Sequence, residues 1–287
     1  MSPRAKVWTA LWAVYIIWGS TYLFIAITVE TIPPLTAVST RFIAAGLIMA
    51  AIVVRRGGTM RISRRELGSC VLIGCLLPGA NAVLFYAEQD VPTGLASLLI
   101  ASVPLWVVVL RLWGRERLTT QTLAGVAVLL RPGGEASTTG ILLCLLSAVM
   151  WSVGSVASAR IPMPSNTFAA TSWEMLAGGV VMLPWGIAAS GGTSPSLGSA
   201  LAWVYLVTIG SVVGYTAYTW LLANAPLSMV STYAYVNPIV AIILGVLFRG
   251  EQLTVQILVG AAIVVASVAV VVRQEPPAAT APEEGVR

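Results

Sequence analysis

From Thr232 to Thr254 the chain reads TYAYVNPIVAIILGVLFRGEQLT, an apolar helix interrupted at Asn237-Pro238 and closed by a polar turn. An earlier stretch, Leu98 to Thr119, LLIASVPLWVVVLRLWGRERLT, has the same plan. Pro104 follows Pro92 by twelve residues, and Pro238 follows Pro226 by twelve. A proline inside a helix removes one backbone donor and crowds the carbonyl four residues earlier, here that of Ile100 or Ala234. In lipid, backbone groups freed in this way persist only against protein or a wet cavity. Broken helices at matched positions of two halves point to a carrier's central site, although proline kinks also occur for packing alone.

Outward from these two stretches the chain stays apolar. It is 57% hydrophobic and 9% charged over 287 residues, with a mean hydropathy of +0.89. Soluble domains carry about 25% charged residues, so this composition belongs to an integral membrane protein. Runs of about 20 apolar residues, long enough for a hydrocarbon core of about 30 Å, follow one another with short polar breaks. The net charge of +5 comes from arginines gathered in particular loops, a topological pattern and not a nucleic-acid surface.

Ten spans are expected, near 8–29, 34–54, 67–86, 92–112, 118–131, 139–159, 166–188, 198–221, 227–248 and 253–272. The run from Trp8 is too long for a secretory h-region and lacks a small-residue cleavage pattern, so it counts as the first span. Arg4 and Lys6, then Arg55, Arg56, Arg61, Arg64 and Arg65, then Arg111, Arg115 and Arg117 mark alternate loops. Glu30, Glu88 and Asp90 occupy the loops between them. Since Lys and Arg are retained inside, both termini are expected in the cytoplasm and the protein in the inner membrane. The tail at 274–287, QEPPAATAPEEGVR, has nothing to bury and is expected to be disordered.

The two halves align at a nearly constant offset. Trp18 matches Trp151 and Arg41 matches Glu174 at 133; Pro104 matches Pro238 at 134; Glu116 and Gly125 match Glu251 and Gly260 at 135. Such an offset over five spans indicates duplication. The units are residues 1–131 and 132–273, and an odd number of spans in each places the second upside down relative to the first. The expected fold is therefore an all-α membrane protein of ten transmembrane helices, built as two inverted five-helix repeats around a central cavity.

The segments WAVYIIWGSTYLFI, PPLTAVSTRFIAAG, VPTGLASLLIASVP and TYAYVNPIVAIILGVLFRGEQLT together resemble the drug/metabolite transporter superfamily, EamA-type branch, over nearly the whole chain to Arg273. The resemblance implies inverted five-helix repeats and export of amino acids or other small metabolites. The superfamily's phosphate-binding branches use intramembrane basic residues, whereas the only lysine here is Lys6. One departure stands out: seven residues are missing from span five relative to span ten, where the offset jumps from 135 to 142. A helix of about 14 residues rises about 21 Å, so Arg131 would snorkel from a short span, or span five would not cross and everything after it would invert.

Arg41 and Glu174 lie deepest of the charged residues, each about 10 to 12 Å into its helix. Charges at that depth face the bundle interior and find partners, either as a cavity or coupling site or as an ion pair bracing the halves. Trp18, Asn81, Tyr86, Tyr215, Tyr218, Tyr233, Tyr235 and Asn237 form a second set, in which rings with polar tips and amides suit a small amphipathic solute. Trp8, Trp113 and Trp203 read as interface anchors. Gly210 and Gly214 form a small-xxx-small pattern, for packing within the chain or a weak dimer seam.

Cys70, Cys75 and Cys144 lack metal-ligand spacing and the chain has no histidine, so no metal or cofactor is expected. No GxxxxGK[ST] loop is present, so energy would come from gradients or from the solute itself. The expected function is secondary export of a small organic solute by alternating access, with membrane lipid the only other partner of a monomer or weak homodimer. The alternatives are a passive pore or structural membrane protein, and a membrane enzyme.

Overall fold

A computed structural model describes residues 2–112, 137–192, 194–225, 227–230, 232–255 and 257–262. Its long elements are α1 (Pro3–Val29), α2 (Pro34–Arg55), α3 (Arg64–Ala87), α6 (Thr138–Ser158) and α7 (Thr167–Ala189). Between α3 and α6 lie two short helices, α4 (Thr93–Ile100) and α5 (Val103–Leu112). After α7 come α8 (Leu197–Tyr205), a π-helical stretch (Leu206–Val213) and α9 (Gly214–Asn224), which run on as one rod. α10 (Leu227–Val230) and α11 (Tyr233–Arg249) follow. Among the described residues there is no strand.

Local chemistry sets the helix starts. Ser63 and Glu66 form a reciprocal capping box at α3, while Ser137, Asn166 and Ser196 cap α6, α7 and α8 with side-chain oxygens. Pro34 begins α2 at a position where a missing N–H costs nothing. Gly250 ends α11 in the left-handed conformation, with φ 66°.

Among the described residues five helices, α1, α2, α3, α6 and the α8–α9 rod, are long and apolar enough to cross a membrane, and their outward faces carry large apolar side chains such as Trp12, Leu47, Leu142, Leu201 and Val204. In water such a surface would be a liability; against lipid it is the expected exterior. The expected spans five and ten, the shortened fifth helix and the 274–287 tail lie wholly or largely outside the described residues.

Packing follows the duplication. α2 lies along α7, its own counterpart in the other half. α1 packs on α11 while α6 packs on α4 and α5, and α3 packs on α6 while the α8–α9 rod packs on α1. These contacts in one half thus have their equivalents in the other. Hydrogen bonds fix the relative direction. Arg249 Nη1 pairs with Glu30 Oε1 at 2.6 Å, Glu251 accepts from Thr93 N, and Ser137 N donates to Asp90 O at 3.3 Å. The end of α1, the end of α3 and the start of α6 therefore share one end of the bundle, and α1 and α6 run in opposite directions.

The two proline helices differ from the sequence expectation and from each other. In the first half the helix stops at Ile100 and restarts at Val103, so Pro104 sits in the first turn of α5 and the break precedes it. In the second half the break lies between Val230 and Tyr233, while Pro238 sits inside a continuous α11. A proline in a first turn forfeits no hydrogen bond, whereas Pro238 leaves the Ala234 carbonyl without its helical donor.

Candidate functional site

A cavity of ≈ 850 Å³, counting the space open at its mouth, lies between the two halves. Trp18, Thr21, Tyr22, Ile25 and Arg41 reach it from α1 and α2. Asn81 and Leu84 of α3 and Ser147 and Trp151 of α6 form a second side. The remainder comes from the α4–α5 break, from Tyr215, and from Tyr233, Ala234, Asn237 and Pro238 of α11.

The repeat offset runs through this wall. Trp18 and Trp151 are equivalent positions, as are Asn81 and Tyr215, Ile100 and Ala234, Val103 and Asn237, and Pro104 and Pro238, and every one of these lines the cavity. The cavity therefore sits at the interface of the halves. Its chemistry is unsymmetrical, because asparagine faces tyrosine and valine faces asparagine.

Arg41 is 3% exposed. Its Nε donates to Ser211 Oγ at 3.0 Å, and its guanidinium carbon lies 5.1 Å from the Phe42 ring centroid and 5.8 Å from that of Phe85. Nη1 has no partner. The π-helical stretch helps to place Ser211 here, consistent with such bulges re-aiming a helix face at functional sites.

An aromatic group adjoins the cation. Trp18 stands edge-on to Tyr215 and Tyr233, with centroids 5.4 and 5.2 Å away, and its Nε1 donates to Gly210 O at 3.3 Å. A methyl group on Gly214 would come within 2.6 Å of Trp18 Nε1, so this glycine serves close helix approach within the chain. Asn237, with its amide nitrogen turned toward two carbonyls, donates to Tyr233 O at 3.1 Å and Tyr15 O at 3.2 Å. Nearby, the Tyr15 and Thr232 hydroxyls bond to each other.

Of the residues expected at the site for their type and depth, Trp18, Arg41, Asn81, Tyr215, Tyr233, Asn237, Pro104 and Pro238 share this cavity. Tyr218 does not reach it and packs 4.9 Å from Trp18. Tyr86 is 38% exposed, because five residues along a helix turn it about 140° from Asn81. Glu174 is also outside the wall and makes no ion pair with Arg41, whose guanidinium turns to Ser211 instead. The backbone carbonyl of Glu174 faces Gly74 on α3. The side chain of Tyr235 lies outside the described residues. Trp203 is no interface anchor, since its Nε1 donates to Ala37 O at 3.1 Å.

Tyr22, Ser147 and Trp151 are wall residues that sequence reasoning did not single out. Trp151 was within reach, as the repeat mate of Trp18. Among the described residues no group of His, Cys, Asp and Glu could hold a metal ion.

The comparisons with known proteins agree with this architecture. One solved crystal structure is similar over 93% of this chain and 96% of its own, with a TM-score of 0.64 at 21% identity, which speaks for the fold. A relative from Escherichia coli (strain K12), "Uncharacterized inner membrane transporter YedA", is 38% identical over 257 residues, 85% of this chain and 83% of its own. A "Probable terminal-alkyne amino-acid exporter" from Streptantibioticus cattleyicolor is 27% identical over 284 residues, 94% of this chain and 95% of its own. The EamA-like transporter family matches residues 7–130 and again 138–273. Two matches in tandem, one for each half of a cavity-bearing helical bundle, make this chain a membrane transporter that belongs to the EamA-like transporter family.

Proposed function

We propose that this transporter exports amino acids, or closely related amphipathic solutes bearing a carboxylate, by alternating access through the cavity between its halves. The observation that carries this reading is Arg41. It is a buried guanidinium at the cavity wall with Nη1 unpartnered and no acidic residue among the wall residues. A buried cation without a partner is costly, and a solute carboxylate supplies the missing charge through a charge-assisted hydrogen bond. Trp18, Tyr215 and Tyr233 offer ring faces to an apolar side chain, and cation–π attraction to an ammonium group. The Asn81 amide and the Ala234 carbonyl add acceptors for the same group. Export, rather than uptake, is favoured by the amino-acid exporter among the relatives. The arginine-bearing loops favour cytoplasmic termini.

Inside-out vesicles with a panel of labelled solutes test the reading. Apolar and aromatic amino acids are expected to accumulate, while their amides, nucleobases and cationic drugs are not. Uptake of cationic drugs in preference to amino acids would contradict it.

A further inference from the structure

A second buried charge lies away from the solute wall. Glu88 follows the last residue of α3 and keeps its helical bond, N–H to Leu84 O at 2.9 Å. It therefore stands one turn beyond Leu84, a cavity-wall residue, on the same helix face. Its side chain belongs to the end of the bundle where Glu30, Arg249 and Glu251 meet. Glu88 is 5% exposed, and among the described residues neither carboxylate oxygen has a hydrogen-bond partner. The Thr93 hydroxyl, at the start of α4, is likewise buried without one.

Glu251, Arg249 and Glu30 in this region each already have a partner. Glu251 accepts from Thr93 N at 2.7 Å and Gly94 N at 3.1 Å, and so ties the second half to the start of α4 in the first. Arg249 is held by Glu30 at 2.6 Å. The titratable groups within electrostatic reach of Glu88 are Arg249 at the end of α11, Glu251 just beyond it, Tyr22 from α1 and Cys144 from α6; Asp90 follows in its own loop. None of these donates to it. Nor is Glu88 an architectural repeat position, because its equivalent at the 134-residue offset is Leu222.

An ionised carboxylate without a donor is strongly disfavoured in such a place, while a protonated carboxyl is tolerated. We propose that Glu88 is a proton-binding site that locks this end of the cavity: the bundle closes here with Glu88 protonated, and losing that proton to water opens it. The proton count balances, one proton leaving the carboxyl for water as the end opens and one returning as it closes. Tyr22 lines the cavity and lies within electrostatic reach of Glu88, so it couples opening at Glu88 to the solute space. Burial holds the Glu88 carboxyl well above the usual carboxylate range; Glu251 adds to the rise and Arg249 opposes it.

Cys144, buried beside Glu88 on α6, is a built-in reporter of this opening, and its labelling needs no solute. Purified protein carrying Cys70→Ser and Cys75→Ser is treated in detergent with a maleimide between pH 5.5 and 8.5. Thiol reactivity rises with pH in every variant, so the readout is the ratio to the same protein with Glu88→Gln. The ratio is expected to climb about tenfold or more across the range, because the glutamine keeps this end closed. Melting temperature gives a second readout. A carboxyl with a raised folded value stabilises fully below its unfolded value of about 4.3 and loses that contribution as pH rises toward the folded value. The wild type should thus melt progressively lower with rising pH, and Glu88→Gln should flatten the slope. A constant labelling ratio together with parallel melting profiles would overturn the proposal, and would leave the transport reading of the cavity untouched.

Discussion

Arg41 Nε lies 3.0 Å from Ser211 Oγ, so the deep cation of α2 is steered by a hydroxyl on the π-helical stretch of the opposite half. That bond holds the guanidinium in the wall, and among the described residues Nη1 is left without a partner, the group to which the proposed carboxylate would bind. Hydrogen bonds to charged groups contribute about 1.5–3 kcal/mol, or about 10- to 100-fold in affinity. Arg41→Ala should raise the half-saturation concentration of an amino-acid substrate by that factor. Arg41→Lys keeps the charge without the planar fork and should fall between. Transport kinetics at matched protein abundance check both.

Glu174 occupies the repeat position equivalent to Arg41, yet the two make no ion pair. Their substitutions should therefore be close to additive, with a coupling of no more than about 0.5 kcal/mol in a double-mutant cycle. Thermal unfolding of Arg41→Ala, Glu174→Ala and the double variant measures it. A coupling of about 3 kcal/mol would show that a direct pair forms.

Close approach of α3 and α7 rests on glycine. A methyl group on Gly74 would lie 2.5 Å from the Glu174 carbonyl oxygen and 2.7 Å from Gly178 N, both backbone atoms that cannot step aside. Gly74→Ala should destabilise by about 1–3 kcal/mol, as overpacking does. Gly68→Ala, on the same helix with nothing within 4 Å, is the control and should melt no lower than wild type. Melting in detergent separates the two.

Asn237 lines the cavity and also ties α11 to α1 through Tyr15 O. Asn237→Ala should therefore lower both transport and melting temperature, and Asn237→Asp, which loses the donating nitrogen, should do the same. Normal stability with lost transport would assign the amide to the solute alone.

The wall was legible in the sequence wherever two signals coincided. Trp18, Asn81, Tyr215 and Asn237 combined polar or aromatic character with depth in a span, and the proline spacing marked two equivalent wall positions, Pro104 and Pro238, although the helix breaks lie before them. Rotation about a helix axis was not legible without neighbours. Tyr86 and Glu174 have the right depth but point elsewhere, and Arg41 kept its place by choosing a hydroxyl over a carboxylate. Glu88 was hidden by its position in a stretch that reads as loop, because loop charges are ordinarily hydrated. In the folded chain it is buried, within electrostatic reach of Tyr22 on α1, Cys144 on α6 and Glu251 after α11. The offset of 134 carried more than any single motif, since it pairs Ile100 with Ala234 and Val103 with Asn237 before either is seen on the wall.

The central claim is that solute crosses by binding in the cavity at Arg41, and counterflow in proteoliposomes tests it most directly. Vesicles preloaded with an unlabelled aromatic amino acid are diluted into a trace of the labelled one. The account predicts a transient accumulation of label that saturates with concentration, and that falls at least about tenfold in Arg41→Ala at equal reconstituted protein. Flux linear in concentration with no accumulation, or counterflow unchanged in Arg41→Ala, would contradict it.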